Sequence, residues 1–234
     1  MKGFWVKAWL RYAGGAGKAM RLVFLGAPGV GKGTQAERAA VEFRICKIST
    51  GDLLRESVRN KTSLGLEAKG HMDRGGLVPD SVVIGLVGEK LNDASSAAGF
   101  ILDGFPRTVP QAEALASVLN ERGERLDRVV NFEVPREEIV KRLSGRRSCP
   151  KCQATYHVDF APSKTGTACE RCGEVLTQRS DDQREAIEMR LRVYEEQTAP
   201  LIGFYEKQGL LSRINGALSV DAVYQSLLRT VAVH

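Results

Sequence analysis

The fold is decided by Gly26-Ala27-Pro28-Gly29-Val30-Gly31-Lys32-Gly33-Thr34. The apolar run Leu22-Val23-Phe24-Leu25 precedes this stretch, and the helix-compatible Gln35-Ala36-Glu37-Arg38-Ala39-Ala40 follows it. Strand, glycine loop and helix are the context of a phosphate-binding loop, because glycines let successive backbone N–H groups turn inward. The helix N-terminus adds a partial positive charge, and Lys32 can reach the terminal phosphates. The predicted phosphate contacts are Gly29, Val30, Gly31, Lys32, Gly33 and Thr34.

The residue after the loop lysine is a departure from the commonest pattern. That pattern places Ser or Thr there to hold Mg²⁺, whereas this chain has Gly33 and supplies its hydroxyl from Thr34. The difference from most GTPases and ATPases points to phosphoryl transfer between small molecules. A second glycine-rich stretch at residues 14–18 lacks a preceding strand, and Ala19 follows its lysine. We interpret that stretch as non-functional.

The bulk composition is that of an ordinary globular protein. The chain has 234 residues, of which 43% are hydrophobic and 26% charged, enough for one large domain with insertions. No apolar run approaches the roughly 18 residues that span a bilayer. The net charge is +6, but residues 1–19 hold four basic residues and no acid, which leaves 30 basic against 28 acidic residues. We therefore expect no nucleic-acid partner and no membrane partner.

Residues 1–19 form a separate segment. Phe4, Trp5, Trp9 and Tyr12 fall on one helical face, which is compatible with a membrane-surface helix or an organellar targeting peptide. Lys7 and Arg11 interrupt the apolar stretch, so it is a poor secretory signal. We favour a passive extension outside the fold, with Met20 as the working first residue. Without a secretory signal, the expected location is the cytoplasm.

The body of the chain alternates strands and helices. Beyond the loop, we predict strands at 45–48, 100–103, 129–134 and 210–214, and helices at 81–91, 108–120, 136–143 and 220–231. Helix caps are predicted at residues 49–52, at Asp80, at 108–111 and at 180–183, the last opening a long helix interrupted near Pro200. This order predicts an α/β fold with a parallel sheet, helices on both faces and ligands at the carboxyl ends of the strands.

Four of the five cysteines form two pairs. Cys149 and Cys152 make one C-x-x-C knuckle, and Cys169 and Cys172 make a second, 16 residues further on. This spacing predicts a tetrahedral zinc site, and four thiolates would fill its coordination sphere, so the metal is expected to be structural. Zinc and iron both remain possible metals. Cys46, on a predicted strand, is expected to be a buried small hydrophobe. His157, in the same lobe as the knuckles, is expected to be a packing or surface residue rather than a ligand.

The chain resembles the adenylate kinases, specifically the long bacterial form with a four-cysteine zinc lid. Four stretches carry the resemblance: GAPGVGKGT (26–34), ISTGDLLR (48–55), LDGFPRT (102–108) and RSDDQREAIEMRL (179–191). The resemblance covers essentially residues 20–234. It implies a core made of residues 20–48, 79–144 and 183–234, with two mobile lobes inserted in it: an AMP-binding lobe at 49–78 and a zinc lid at 145–182.

The implied reaction is the reversible transfer of a phosphoryl group from MgATP to AMP, giving two ADP. It brings two polyanions together and needs fixed cations rather than a general base. By the family's pattern, Arg55 and Arg107 hold the AMP phosphate, and Arg142 and Arg146, one helical turn apart, face the triphosphate. Arg179 and Arg190 close over both. Asp103 is expected to orient Mg²⁺ waters, and Asp181, beside Asp182, to cap a helix or orient arginines.

The resemblance also places the two bases. The acceptor adenine is expected against Thr50 and Gln111, and the donor adenine against Thr155, Tyr156 and the backbone near Leu218. The walls of the AMP site are expected to include Gly76, Leu77, Val78, Gly104, Phe105, Pro106 and Arg107. Position 76 is Gly where some relatives carry Lys, so any contact there is through the backbone.

The implied cofactors are Mg²⁺ bound with ATP and a structural Zn²⁺, and the expected partners are the nucleotides alone, bound by a monomer. Two alternatives stay open on the sequence. One is a nucleoside monophosphate kinase that uses UMP, CMP or GMP. The other is a non-catalytic zinc-ribbon protein that senses a nucleotide or binds nucleic acid.

Overall fold

The computed structural model describes residues 19–232, and within them strands and helices alternate as predicted. The strands are β1 (Met20–Leu25), β2 (Cys46–Ser49), β3 (Gly99–Asp103), β4 (Arg128–Glu133), β5 (Arg146–Ser148), β6 (Thr155–His157) and β7 (Leu211–Asn215). The α-helices are α1 (Lys32–Phe43), α2 (Thr50–Arg59), α3 (Ser63–Asp73), α4 (Asp80–Asn92), α5 (Val109–Glu121), α6 (Arg136–Ser144), α7 (Arg184–Val193), α8 (Pro200–Lys207) and α9 (Val220–Ala232). A π-helical turn, Tyr194–Thr198, separates α7 from α8, close to the predicted interruption at Pro200.

Five of the strands form one parallel sheet in the order β2-β3-β1-β4-β7. β1 is central and pairs with β3 up to Phe24↔Asp103 and with β4 up to Leu25↔Asn131. Chain connections diverge to opposite sides at such a point, which leaves a crevice at the carboxyl ends of the strands. The predicted α/β fold with a parallel sheet is therefore confirmed.

The sheet is covered on both faces. Along β1, Leu22 and Phe24 enter an apolar cluster with α1, α6, α7 and α9. Val23 and Leu25 point the other way, into a cluster that includes α4, α5 and α8. Successive side chains of a strand alternate between faces, so a continuous apolar run is what a doubly covered strand requires.

Residues 50–73 form two helices that pack against each other, α2 and α3. α2 begins as predicted, with Ser49 Oγ accepting a hydrogen bond from the Asp52 N–H. The sequence does not predict α3, because Gly65 and Gly70 weaken its helical pattern. A β-carbon on Gly65 would lie 2.1 Å from the backbone oxygen of Ser57, so this helix pair can approach only with glycine there.

Residues 145–182 form a small separate layer around an antiparallel pairing of β5 with β6. Its buried apolar residues are few, namely Cys149, Ala154 and Cys169. It contacts the rest of the chain through an ion pair of Arg171 with Glu37 in α1, at 2.9 Å, among other contacts. A lobe with so small a core needs another source of stability.

Two predicted helix caps are wrong. α4 begins at Asp80, but its N-terminus has no side-chain cap, because Pro79 occupies the cap position and the Asp80 carboxylate is bonded to α5 instead. Residues 180–182 form a separate 3₁₀ turn, and α7 begins only at Arg184 with no side-chain cap. The Ser180 hydroxyl donates to Asp73 at the end of α3, at 2.7 Å.

Two further placements differ from the sequence prediction. Arg142 lies in α6 but Arg146 lies in β5, because the helix ends at Ser144, so the two are not one turn apart on one helix. Cys46 is half-buried at the start of edge strand β2 rather than fully buried.

Residues 1–19 are predicted to be a passive extension. Residues 1–18 of that segment lie outside the described range. Over residues 19–232, none of the helices combines the length and the apolar character needed to cross a bilayer.

Gly65→Ala is predicted to destabilise the protein by about 1–3 kcal/mol, because the new methyl group overlaps backbone atoms of α2. The matched control is Gly85→Ala in α4, whose β-carbon would meet no atom within 4 Å. That control should gain up to about 1 kcal/mol from helix propensity. Urea unfolding of both variants measures the difference, and equal stability of the two would contradict the close packing of α2 on α3.

Candidate active site

The glycine loop is shaped by three glycines with positive φ, Gly26 at 134°, Gly29 at 86° and Gly31 at 98°. A β-carbon on Gly26 would lie 2.6 Å from the Phe132 oxygen, and one on Gly29 would lie 2.8 Å from the Leu143 side chain. The loop therefore tolerates no side chain at either position. α1 follows directly and has no side-chain cap, so its first N–H groups are available to an anion.

Lys32 extends back over the loop. Its ammonium donates to the carbonyl oxygens of Gly26, at 2.6 Å, and Ala27, at 2.8 Å. Burial lowers the pKa of Lys32 to about 8, with nearby arginines adding to the effect and Asp103 opposing it. Lys32 is a buried cation whose hydrogen-bond acceptors here are neutral carbonyl oxygens, so it is placed to bind an anion in the loop.

Asp103 ends β3 beside the loop. None of the side chains in residues 19–232 hydrogen-bonds or forms an ion pair with its carboxylate, which faces the cavity. A β-carbon on Gly33 would lie 3.3 Å from Asp103 Oδ2. The unusual glycine thus leaves space in front of a carboxylate that has no protein partner.

One cavity of about 1330 Å³ collects the predicted cations. It lies at the carboxyl ends of the strands and extends between the glycine loop and residues 153–161 of the lobe. Its lining includes Lys32, Asp103 and all six predicted arginines, namely Arg55, Arg107, Arg142, Arg146, Arg179 and Arg190. Arginines from five segments distant in sequence meet here.

Asp182 is the main counter-charge of this cluster. Its buried carboxylate accepts from Arg146 Nε at 2.7 Å and Nη2 at 2.5 Å, and from Arg190 Nη1 at 3.1 Å. Asp181, the residue predicted for this role, forms an ion pair with Arg190 at 3.1 Å and with no other residue of the described range 19–232. Burial raises the pKa of Asp181, but Arg190 and Arg146 outweigh it and hold the pKa below its usual range. The Asp-Asp pair is visible in the sequence, whereas the choice of Asp182 depends on the turn at 180–182.

The other arginines keep hydrogen-bonding capacity. Arg179 Nε donates to Ser148 Oγ at 2.8 Å, and burial together with Arg55 and Arg146 lowers the pKa of Arg179 to about 9. Burial and then Arg190 lower the pKa of Arg107 to about 10. Because guanidinium groups stay charged, burial and mutual repulsion destabilise this cluster, and a bound polyanion would offset both.

Arg55 is positioned by a residue that the prediction did not include. Asp52 Oδ1 accepts from Arg55 Nη2 at 2.6 Å, and Lys47 binds the same carboxylate at 3.2 Å. Burial raises the pKa of Asp52, but Arg55 and Lys47 outweigh burial and lower the pKa to about 2. Among residues 19–232 nothing hydrogen-bonds to the buried Arg55 Nε, so that donor remains for a ligand.

Arg142 links α6 to the loop before α9. Its Nη1 donates to the Gly216 oxygen at 2.9 Å, and its Nε donates to Glu138 at 3.0 Å. Leu218 in that loop, together with Thr155 and Tyr156 on β6, lines the same cavity. The residues predicted for a donor base therefore line the same cavity as the cation cluster.

The residues predicted for the acceptor site form a connected group. The Gly104 oxygen accepts from Thr50 Oγ1 at 2.8 Å and from Arg107 Nε at 2.9 Å. Gln111 Oε1 accepts from the Arg107 N–H at 2.8 Å. The predicted cap at Thr108 is present, but Gln111 reaches the N–H of Arg107 rather than that of Thr108.

These acceptor residues differ in their access to the cavity. Leu77, Gly104, Pro106 and Arg107 line it, and so does Gly75, which the sequence analysis left out. The remaining predicted residues do not line the cavity and are buried or half-buried: Thr50, Gly76, Val78, Phe105 and Gln111. Their contact with a base stays a prediction.

The four paired cysteines converge as predicted. The Sγ atoms of Cys149, Cys152, Cys169 and Cys172 all lie within 4.8 Å of one another, and none forms a disulfide. The closest Sγ pairs are 3.4 Å apart, near the about 3.8 Å separation expected around tetrahedral zinc with Zn–S bonds of about 2.3 Å. The thiol set therefore fits a four-coordinate metal with no open position.

His157 does not belong to that cluster. It is buried, its Nδ1 accepts from the N–H groups of Asp159 and Phe160, and its ring stacks on Phe160 at 4.3 Å between centroids. Of the two roles predicted for His157, packing and surface, the structure has the first.

The comparisons with known proteins agree with this geometry. The family model described as adenylate kinase matches residues 24–210. The chain belongs to the adenylate kinase family. Its relatives include the adenylate kinases of Carboxydothermus hydrogenoformans, 54% identical over 89% of this chain and 97% of the relative, and of Citrifermentans bemidjiense, 53% identical over 91% and 99%. The adenylate kinase of Archaeoglobus fulgidus is 50% identical over 89% and 96%.

Membership in this family makes the chain an enzyme, a nucleoside monophosphate kinase. The alternative of a non-catalytic zinc-ribbon protein is therefore wrong. The cysteine cluster belongs to a lobe of the enzyme, next to the cavity that holds the arginines.

Cys149→Ser combined with Cys152→Ser is predicted to abolish metal retention and to lower the melting temperature of the lobe while sparing much of the activity under mild conditions. The reason is that a closed thiolate site stabilises without touching substrate. Metal analysis and thermal unfolding check this, with Cys46→Ser as the control that removes a cysteine outside the cluster. A metal-free protein that is fully stable but inactive would contradict it.

Proposed function

We propose that the enzyme transfers the terminal phosphoryl group of MgATP reversibly to AMP, giving two ADP, in the cavity that holds the six arginines. The supporting observation is that the glycine loop, the end of β3 and cations from several segments share that cavity. The nucleophile is an ionised phosphate oxygen, so the reaction needs positioning and charge neutralisation rather than a base.

The donor triphosphate binds along the glycine loop. Backbone N–H groups at the start of α1 hold its phosphates, and Lys32 exchanges its bonds to the Gly26 and Ala27 carbonyls for a phosphate oxygen. Arg142 and Arg146 reach the same phosphates from the opposite side. The donor adenine lies between Thr155, Tyr156 and the backbone near Leu218.

The acceptor phosphate binds Arg55 and Arg107, whose planar forks suit phosphate oxygens. Arg179 and Arg190 neutralise the charge that develops between the two nucleotides. Positions 146 and 190 are fixed by Asp182, which holds both guanidinium groups without entering the cavity lining. The acceptor adenine is read by Thr50 and Gln111.

The divalent cation that accompanies ATP supplies further neutralisation of the phosphates. Asp103 fits this ion, because its carboxylate has no protein partner in the described chain and faces the cavity. Gly33 keeps the space before that carboxylate open, and Thr34 lines the cavity nearby.

The two lobes, residues 49–78 and 145–182, close over the nucleotides and exclude water, with the thiolate-bound zinc acting only to hold the second lobe together. We place the enzyme in the cytoplasm as a monomer that acts on free nucleotides. Five unpaired cysteines support a reducing compartment.

The test is a coupled assay of ADP formation from MgATP with AMP, GMP, CMP and UMP as acceptors. We expect AMP to be preferred, and Lys32→Met to lower kcat by about 10²–10³-fold through loss of a charge at the transferring group. Lys207→Met in α8, an exposed lysine outside the cavity, is the control. A preference for another monophosphate, or near-normal turnover of Lys32→Met, would contradict the proposal.

A further inference from the structure

Asp80 holds the side chain of Gln111. One oxygen of its carboxylate accepts from Gln111 Nε2 at 2.7 Å, and the other accepts from Thr108 Oγ1 at 2.8 Å. Asp80 is the first residue of α4, and both partners belong to the start of α5. The carboxylate that the sequence predicts as a helix cap instead connects two helices at the acceptor site.

The two bonds of Gln111 fix the orientation of its amide. Gln111 Oε1 accepts from the Arg107 N–H, which can only donate, and Nε2 donates to Asp80, which as a carboxylate can only accept. A 180° rotation of the amide would place donor against donor and acceptor against acceptor. The remaining N–H of Nε2 and the remaining lone pair of Oε1 are therefore fixed in position.

This orientation matters because adenine and guanine present opposite patterns on their pairing edges. Adenine offers an amino donor beside a ring-nitrogen acceptor, whereas guanine offers a carbonyl acceptor beside a ring N–H donor. A glutamine amide is complementary to one base in one orientation and to the other base after rotation. Hydrogen bonds to a base edge of this kind discriminate between two bases by about ten- to a hundredfold.

We propose that Asp80 is the positioning residue for acceptor-base specificity: by fixing the Gln111 amide, it makes the site select adenine over guanine. The inference rests on the proposed function, in which Gln111 reads the acceptor base. Asp80 does not line the cavity, so it acts through Gln111 and not on the nucleotide.

The experiment measures kcat/KM for AMP and GMP and KM for ATP in wild type and Asp80→Ala. Removing the carboxylate frees the amide to rotate, so the AMP-to-GMP ratio of kcat/KM should fall about tenfold or more, while KM for ATP stays within about twofold. Asp80→Asn should restore the ratio to within about threefold of wild type. Its carbonyl can accept from Gln111, and its amide can donate to the Thr108 hydroxyl.

Glu89→Ala, which removes an exposed carboxylate from the same helix, is the control and should match wild type. Asp80→Ser, which is too short to reach the amide, is measured beside Asp80→Ala in case the alanine variant does not fold. An unchanged AMP-to-GMP ratio in the folded variant, or equal losses for ATP and AMP, would overturn the inference. A wild-type enzyme that does not use AMP would instead refute the proposed function.

Discussion

Repulsion among buried cations is the constraint on which the rest of this structure depends. Ten positive side chains of the described chain line one cavity, among them Lys32 and the six predicted arginines. Burial and mutual repulsion lower the pKa of Lys32 to about 8 and of Arg179 to about 9, and neighbouring acids only partly offset these effects. Such a cluster costs stability until an anion enters it. Asp52, which lines the cavity, and Asp182, which lies outside its lining, bind arginines of the cluster and offset part of this repulsion.

The fold meets this constraint by bringing distant segments to one edge. The parallel sheet places the glycine loop after β1 and Asp103 at the end of β3, side by side through the Phe24↔Asp103 pairing. The arginines come from α2, the loop between β3 and α5, α6, the inserted lobe and α7, so the site is complete only when these segments approach one another. The lobe that reaches over the cavity has only a small apolar core, around Cys149 and Cys169. The thiol cluster can bind a metal and so supply the stability that this core does not.

The sequence predicts the parts of this site that are local. The loop at 26–34 follows from glycine spacing, the positions of the strands along the chain from apolar runs, and the thiol cluster from two C-x-x-C pairs. What it does not predict depends on contacts distant in the chain. Asp182 rather than Asp181 faces Arg146 because of a short turn. The Asp80 side chain does not cap its own helix because it accepts a hydrogen bond from Gln111, 31 residues away. The sequence does not predict α3 because Gly65 weakens its helical pattern. A glycine is required at that position because α2 packs closely against it.

The most direct test of the cation cluster is the thermal unfolding of the metal-loaded protein with inorganic triphosphate or with adenosine at equal millimolar concentration. A ligand that binds the folded state raises the melting temperature according to its affinity. We expect triphosphate to raise the melting temperature by several degrees, with an effect that shrinks as salt is added, and adenosine alone to leave it nearly unchanged. Stabilisation by adenosine equal to that by triphosphate would contradict the role of the cation cluster.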